Sequence, residues 1–245
     1  MSKILVLFDV DGTLTEPRQK ITEHMDTFIF QELSKFVVIG VVGGSDLTKQ
    51  KEQLGGDVIQ KATFSFSENG LVAYRDGHLL KKTSIIDHLG ESNLKRIINW
   101  SLVYISKLDI PIKRGTFIEF RSGMLNISPI GRNCSKTERD AFEIYDRSHH
   151  VRSKMIDLLK AELADLDLEY SIGGQISFDV FPRGWDKTYC LQFIDPGEFQ
   201  KIYFFGDKTE RGGNDFEIYH DKRVIGYSVR SWQETESYCR ELFMN

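Results

Sequence analysis

Near the start of the chain two acids stand two positions apart, Asp9 and Asp11, within Ile4-Leu5-Val6-Leu7-Phe8-Asp9-Val10-Asp11-Gly12-Thr13-Leu14-Thr15. A carboxylate pair of this kind supports two roles, one group attacking as a nucleophile and the other moving protons. The apolar run Ile4 to Phe8 reads as a strand buried on both faces of a parallel sheet, and it stops at Asp9. Open α/β sheets bind ligands in the crevice outside the carboxyl ends of their strands, so Asp9 is expected to face that crevice. Gly12 permits a sharp turn beneath the acids, and Thr13 and Thr15 offer hydroxyls to an anionic group. A second buried strand, Lys201 to Phe205, also runs into acid: Gly206-Asp207, then Gly212-Gly213-Asn214-Asp215. Carboxylates at neighbouring strand tips form a hard, oxygen-lined site that suits Mg²⁺, which offsets both their mutual repulsion and that of an incoming phosphate.

Other residues fit phosphate chemistry in the same way. Gly43-Gly44-Ser45-Asp46 ends a buried strand and opens a helix, so its N–H groups and the Ser45 hydroxyl form either a phosphate cradle or a plain helix cap. Lys187, in Gly184-Trp185-Asp186-Lys187, either neutralises charge at the phosphorylated acid or lies on the surface. In a later stretch, period-two alternation sets Ser177 and Asp179 on one strand face, with Ile176, Phe178 and Val180 on the other. The same alternation groups Arg121 with Phe117 and Glu119, and Asn126 with Ser128, while Arg132 and Arg139 follow closely. A polar sheet face is either solvated or a binding surface. Arginine forks beside Ser, Asp and Asn suit a phosphorylated sugar.

The elements that must position these groups fall into three stretches. Up to about residue 60 helix and strand alternate: a helix carrying Ile21, Met25, Phe28, Ile29 and Leu33, a strand Phe36 to Val42, and a helix Leu47 to Leu54. Short strands follow at Ala62 to Phe66, Leu71 to Tyr74 and His78 to Leu80, the last two joined by Asp76-Gly77. From Thr83 the pattern changes to a long helix, Ser92 to Leu108, with Leu94, Ile97, Ile98, Leu102, Ile105 and Leu108 on one face. Two strands, Thr116 to Arg121 and Met124 to Ser128, come next. Then follow a capping box at Ser135 to Glu138, a helix from Val151 to Ala164, and strands Leu168 to Ile172 and Gln175 to Phe181. The expected fold is therefore α/β: a Rossmann-like core, residues 1–82 and 186–245, interrupted at 83–185 by an α+β cap with an antiparallel sheet.

Composition narrows the function. In 245 residues, 32 Lys and Arg stand against 36 Asp and Glu, a net charge of −4, which argues against a nucleic-acid surface. The three cysteines, Cys134, Cys190 and Cys239, lack metal-ligand spacing and read as reduced, structural thiols. The chain as it stands begins directly with a strand and carries no apolar stretch near the ~20 residues of a membrane span, so no membrane association and a cytoplasmic location are expected.

The Asp-x-Asp-Gly-Thr motif after a hydrophobic strand resembles the haloacid dehalogenase-like phosphotransferases. That resemblance implies that Asp9 becomes an aspartyl phosphate while Asp11 acts as general acid and base. Longer blocks are similar to the eukaryotic-type phosphomannomutases: Phe8 to Ile21, Gly115 to Arg132, Ser171 to Lys187 and Ile202 to Asp215. This similarity runs along essentially the whole chain. It implies interconversion of mannose 6-phosphate and mannose 1-phosphate through a hexose 1,6-bisphosphate activator and intermediate, feeding GDP-mannose synthesis for glycosylation. It further implies that Arg18, Arg121, Arg132, Arg139, Ser177 and Asp179 contact the hexose phosphate, that Asp9, Asp11 and Asp207 hold Mg²⁺, and that Tyr219, Asp221 and Val224 hold a second cation. Tyr219 and Val224 differ in type from the family pattern and would ligate through backbone oxygens. A homodimer through the cap is implied as well, with Trp100 and the apolar residues of the long helix either at that contact or in the cap core. A cap-bearing sugar phosphatase and a non-catalytic sugar-phosphate sensor are the alternatives. Net phosphate release without a bisphosphate requirement would mark the former, and the intact Asp9, Asp11 and Asp207 count against the latter.

Overall fold

The computed structural model describes residues 3–244. Two compact units emerge, one formed by the residues up to Lys82 together with those from Trp185 onward, the other by Thr83–Gly184.

The first unit begins with β1 (Ile4–Phe8) and α1 (Glu23–Thr27), which runs on through irregular helical turns to Lys35. It continues with β2 (Val38–Val42), α2 (Leu47–Leu54), α3 (Val58–Lys61), β3 (Phe64–Ser67), β4 (Val72–Arg75) and β5 (His78–Lys82). A parallel layer, β11-β10-β1-β2-β3, is extended antiparallel by β4 and β5, giving a seven-stranded sheet; β10 (Lys201–Gly206) and β11 (Ile225–Ser228) arrive from the far end of the sequence. Alternation along β1 fills both sides of the sheet. Val6 and Phe8 join Met25, Phe28, Ile29, Leu33 and Leu54 on one side, while Leu5 and Leu7 join Cys190, Leu191 and Ile218 on the other. These four β1 side chains are fully buried, and each contributes roughly 1.5–3 kcal/mol of transfer free energy. That central strand holds Asp9 at its tip, where the Asp9 N–H donates to the Phe205 carbonyl at 2.9 Å.

In the second unit, α4 (Ile85–Lys107) starts seven residues before the expected Ser92, because Ser84 caps a first turn and Gly90 breaks the helix with φ 75° and ψ 154°. Its buried face is Ile85, Leu94, Ile97, Ser101 and Ile105, whereas Leu102 of the expected stripe is 43% exposed. Next come β6 (Ile118–Phe120), β7 (Leu125–Ile127), α5 (Lys136–His149), α6 (Val151–Glu162), β8 (Leu168–Gly173) and β9 (Ser177–Pro182), with an antiparallel sheet in the order β6-β7-β9-β8. The capping box forms as read: Ser135 Oγ accepts from the Glu138 N–H and the Glu138 carboxylate accepts from the Ser135 N–H. A buried ion pair anchors the β8–β9 turn. Arg152 Nε donates to Asp146 at 2.6 Å, and Arg152 Nη1 donates to the carbonyls of Gly174 and Ser177 at 2.9 and 3.0 Å.

The chain then returns to the first unit. A tight helical stretch, Lys187–Phe193, leads into β10; α7 (Phe216–Tyr219), β11 and α8 (Trp232–Phe243) complete it. Neither β11 nor α8 is among the elements expected above. β2 is also shorter than expected, since Phe36 lies in the preceding turn and is 55% exposed. All three cysteines are buried and free. Among the described residues, no helix is long and apolar enough to cross a membrane.

Candidate active site

Three carboxylates converge at the tips of β1 and β10. Asp9, Asp207 and Asp215 each place an oxygen within 4.8 Å of the others. Two glycines make the convergence possible. A Cβ on Gly12, whose φ is +79°, would stand 2.5 Å from Asp207 Oδ2, and one on Gly206 would stand 2.7 Å from Asp215 Oδ2. Lys187 is no surface residue: it is 0% exposed, and its ammonium donates to both Asp9 and Asp215. The other Asp215 oxygen accepts from the Lys208 N–H at 3.0 Å.

Charge at this cluster is delicately set. Burial raises the Asp9 carboxyl most, Lys187 pulls it down and Asp215 pushes it up again, leaving it raised to about 7. Burial works against the Lys187 ammonium, but the two carboxylates outweigh it and keep the pKa above the ordinary lysine range. Asp207 is raised, by burial first. Fully ionised, three carboxylates and one ammonium sum to −2, the charge that a divalent cation balances. Asp207 Oδ1 is moreover buried without a hydrogen-bond partner among the described residues, and an orphaned buried acceptor is costly unless something binds it. All-oxygen donors, the charge and the orphan fit a hard divalent ion.

The expected metal set was Asp9, Asp11 and Asp207. Counting carboxylate oxygens, the structure clusters Asp9 and Asp207 of that set and adds Asp215. Asp11 Oδ1 accepts from Gln53 Nε2 at 2.8 Å and from the Arg18 N–H at 2.5 Å, which draws its carboxylate to α2 and the loop before α1. Arg18 itself is exposed, with φ 65°.

Asp9, Asp11, Gly43, Gly44, Ser45, Gln50, Gln53, Lys208 and Asn214 line one cavity of about 100 Å³. The Gly43-Gly44-Ser45 turn thus borders the acids, yet part of it is committed elsewhere. The Gly43 N–H donates to the Phe66 carbonyl at 3.0 Å, and Asp46 caps α2 by accepting from the Lys49 N–H at 2.8 Å, so a carboxylate already occupies that helix terminus. Thr15 Oγ1 donates to the Val10 carbonyl at 3.3 Å and stabilises the turn, whereas the fully buried Thr13 Oγ1 lacks a partner among the described residues.

In the inserted unit, sheet register assembles the polar face. Glu119 on β6 pairs with Asn126 on β7, Asn126 with Asp179 on β9, and Asp179 with Ser171 on β8, so these four cross the sheet in one row. Asn126 Nδ2 donates to Asp179 at 2.7 Å and to Ser177 Oγ at 3.1 Å. Arg132 donates to Asn126 and pairs with Glu119, which also accepts from Arg121 Nε at 2.7 Å. Burial opposes ionisation of Glu119, but Arg121 and Arg132 more than offset it and hold the acid below its ordinary range. Asp179 is shifted the other way, by burial that Asn126 only partly offsets. Arg139, on α5, is tied by Nη2 to the Arg132 carbonyl at 2.8 Å. Glu119 was grouped with Arg121 by alternation but not read as part of the site; its place between two arginines follows from register.

Tyr219 ends α7, and Asp221 and Val224 follow in the turn that leads to β11. There Arg223 donates to both carboxylate oxygens of Asp221, at 2.8 and 2.7 Å, and the Val224 N–H donates to the Asp221 carbonyl at 3.0 Å. Asp221 is accordingly held below the usual carboxylate range, Arg223 being the main cause. Within this turn the Asp221 carboxylate is thus met by the Arg223 guanidinium.

Comparison with known proteins places the chain. The sequence model of the eukaryotic phosphomannomutases matches residues 25–245. A phosphomannomutase of Dendrobium officinale is 58% identical over 244 residues, covering 100% of this chain and 96% of its own length. Those of Glycine max and Arabidopsis thaliana are 58% identical over 241 and 242 residues, covering 98% and 99% of this chain and 96% and 97% of theirs. Among solved structures, an IMP-bound Plasmodium falciparum IMP-nucleotidase superposes with a TM-score of 0.61 at 16% identity, covering 98% of this chain and 68% of that one. A haloacid dehalogenase-like hydrolase of Bacteroides thetaiotaomicron gives 0.59 at 11% identity, covering 99% and 100%. These structural matches establish the shared fold, as the α/β core with its separate antiparallel sheet led one to expect. With near-complete coverage at 58% identity, this chain belongs to the eukaryotic phosphomannomutase family.

Proposed function

We propose that the chain interconverts mannose 6-phosphate and mannose 1-phosphate by passing a phosphoryl group through Asp9. The observation that supports it most is the buried Asp9 at the tip of β1, oriented by Lys187 and flanked by Asp207 and Asp215, in a chain of this family. Asp9, Asp207 and Asp215 would hold Mg²⁺, which when bound supplies charge neutralisation at the phosphoryl oxygens.

In the first half-reaction a sugar hydroxyl oxygen of the hexose monophosphate attacks the phosphorus on phosphorylated Asp9, and Asp11 takes the hydroxyl proton. The bond between the Asp9 oxygen and phosphorus breaks, leaving the Asp9 carboxylate and a hexose 1,6-bisphosphate. In the second, the Asp9 carboxylate attacks the other phosphorus, and protonated Asp11 returns its proton to the departing sugar oxygen. Free bisphosphate acts as activator by phosphorylating Asp9 in an enzyme that has lost its phosphate. Arg121, Arg132 and Arg139 recognise the non-reacting phosphate, while Asn126, Ser177 and Asp179 meet sugar hydroxyls. Arg18 and Ser45 serve the same ligand. Water must be excluded throughout, because hydrolysis of the aspartyl phosphate would turn the mutase into a phosphatase.

The same reading includes a homodimer through the inserted unit, supported by Leu102 and Val103, which leave α4 with an exposed apolar patch. It also includes a cytoplasmic role in supplying mannose 1-phosphate for GDP-mannose synthesis and glycosylation. A coupled assay of mannose 1-phosphate and glucose 1-phosphate, with and without hexose 1,6-bisphosphate, tests the activity. Asp9→Asn should abolish phosphoenzyme and turnover while mannose 1-phosphate still binds; turnover persisting in that variant would exclude Asp9 as the phosphoryl carrier.

A further inference from the structure

Two glutamines lie on the buried side of α2, Gln50 at 2% and Gln53 at 3% exposure, where an amphipathic helix ordinarily places apolar residues. Their amides are used differently. Gln50 Oε1 accepts from the hydroxyls of Ser65 and Ser67 at 3.0 and 2.9 Å, and its Nε2 donates to the Phe66 carbonyl at 3.2 Å, so its side chain is spent on β3. Gln53 Nε2 donates instead to Asp11 Oδ1 at 2.8 Å and to the Gln19 carbonyl at 3.3 Å. We propose that Gln53 is a positioning residue for the phosphoryl transfer, holding the Asp11 carboxylate in the orientation from which it exchanges protons with the sugar oxygen. This rests on the assignment of Asp11 as general acid and base given above.

The geometry carries the proposal in three ways. Gln53 and Asp11 line the same cavity as Asp9. A second donor, the Arg18 N–H, reaches the same oxygen at 2.5 Å, from a residue whose φ of 65° is unusual for a side chain other than glycine. Two donors on Oδ1 fix the carboxylate plane, and Oδ2 is the oxygen that neither of them engages. Finally, attachment of α2 to the loop before α1 does not depend on the Gln53 side chain alone, because besides the Nε2 bond to the Gln19 carbonyl the Gln53 backbone carbonyl accepts from the Ile21 N–H at 2.8 Å. The shorter of the two amide bonds at this buried position goes to Asp11, and the loop keeps a backbone tie of its own.

The test uses the full chain with Mg²⁺ and hexose 1,6-bisphosphate. Gln53→Met keeps length and volume but removes both donors. Its mutase kcat should fall roughly 10- to 100-fold, a part of what general acid–base catalysis supplies, with KM for mannose 1-phosphate within about twofold of the parent. Phosphorylation of Asp9 by acetyl phosphate should be unchanged, since acetate departs without needing a proton. Adding Gln53→Met to Asp11→Asn should cost nothing further, because residues acting as a unit are non-additive. If the Met variant fails to fold, the isosteric Gln53→Glu carries the test and should lose at least as much kcat. Parent-like kcat, a parallel loss of acetyl phosphate labelling, or an additive loss in the double variant overturns the proposal. Should Asp11→Asn alone retain full turnover, it is the acid–base assignment that fails.

Discussion

Replacing Lys187 by Met removes the ammonium that two buried carboxylates share, and the consequences can be worked out from the site. Lys187 and Asp215 are each 0% exposed and Asp9 is 4% exposed, so neither acid gains water when its partner is lost. Breaking a buried pair from one side costs about 3–5 kcal/mol because a charge is left uncompensated. For a chain of this size each kcal/mol moves the melting midpoint by roughly 2–4 °C, so a drop of about 6–20 °C is expected. Protonation offers a partial escape. Asp9 is already raised from 3.8 to about 7, and it rises further without Lys187. An acid whose pKa is higher folded than unfolded binds more protons when folded, so stability declines as pH climbs from the unfolded value toward the folded one. The loss should therefore be larger at pH 8 than at pH 6. A divalent cation should restore part of it, about 2.7 kcal/mol at a hundredfold excess over its Kd. Differential scanning fluorimetry of parent and Lys187→Met at both pH values, with chelator and with MgCl₂, measures each term. A midpoint within about 2 °C of the parent at pH 8 in chelator, or an equal loss at both pH values, would refute the reasoning.

Gly12→Ala forces a Cβ to within 2.5 Å of Asp207 Oδ2 at a φ of +79°, and should weaken Mg²⁺ binding more than tenfold by titration calorimetry; parent-like affinity would show that Asp207 is no ligand. Because a cation needs Asp9 ionised, affinity should fall by up to about tenfold per unit as pH drops below about 7, read from Mg²⁺ titrations at several pH values. On the proposed role of Arg139 and Arg121 at the non-reacting phosphate, Arg139→Ala or Arg121→Ala should each cost a charge-assisted contact worth about 1.5–3 kcal/mol and lower kcat/KM roughly 10- to 150-fold. Transfer at Asp9 should persist in both, and the ratio of released phosphate to isomerised sugar should rise as water gains access. An unchanged ratio would separate these arginines from water exclusion.

Much of this protein is written locally. The apolar run ending at Asp9, the capping box at Ser135, and the alternation of Ser177 and Asp179 against Phe178 and Val180 depend on neighbours in sequence, so composition and period suffice to read them. Gly90 shows where this fails even locally: one left-handed residue splits α4, and the expected start at Ser92 misses the first turn. The four residues of β11 make too short a pattern to stand without the sheet edge they pair with, whereas the last helix carries its own local signal, a Ser231 cap accepting from the Glu234 N–H. What tertiary structure alone decides is which groups share a charge. Lys187 meets Asp9 and Asp215 only because the Lys187–Phe193 turn packs on the β1 and β10 face, and no local rule distinguishes that buried ammonium from a solvated one. Likewise Asp215 joins the carboxylate cluster because Gly206 permits its approach, while Gln53 and the Arg18 N–H draw the Asp11 carboxylate aside. Sequence names the residue types a phosphoryl-transfer site needs; long-range packing, through burial and shared partners, assigns each its charge and its place.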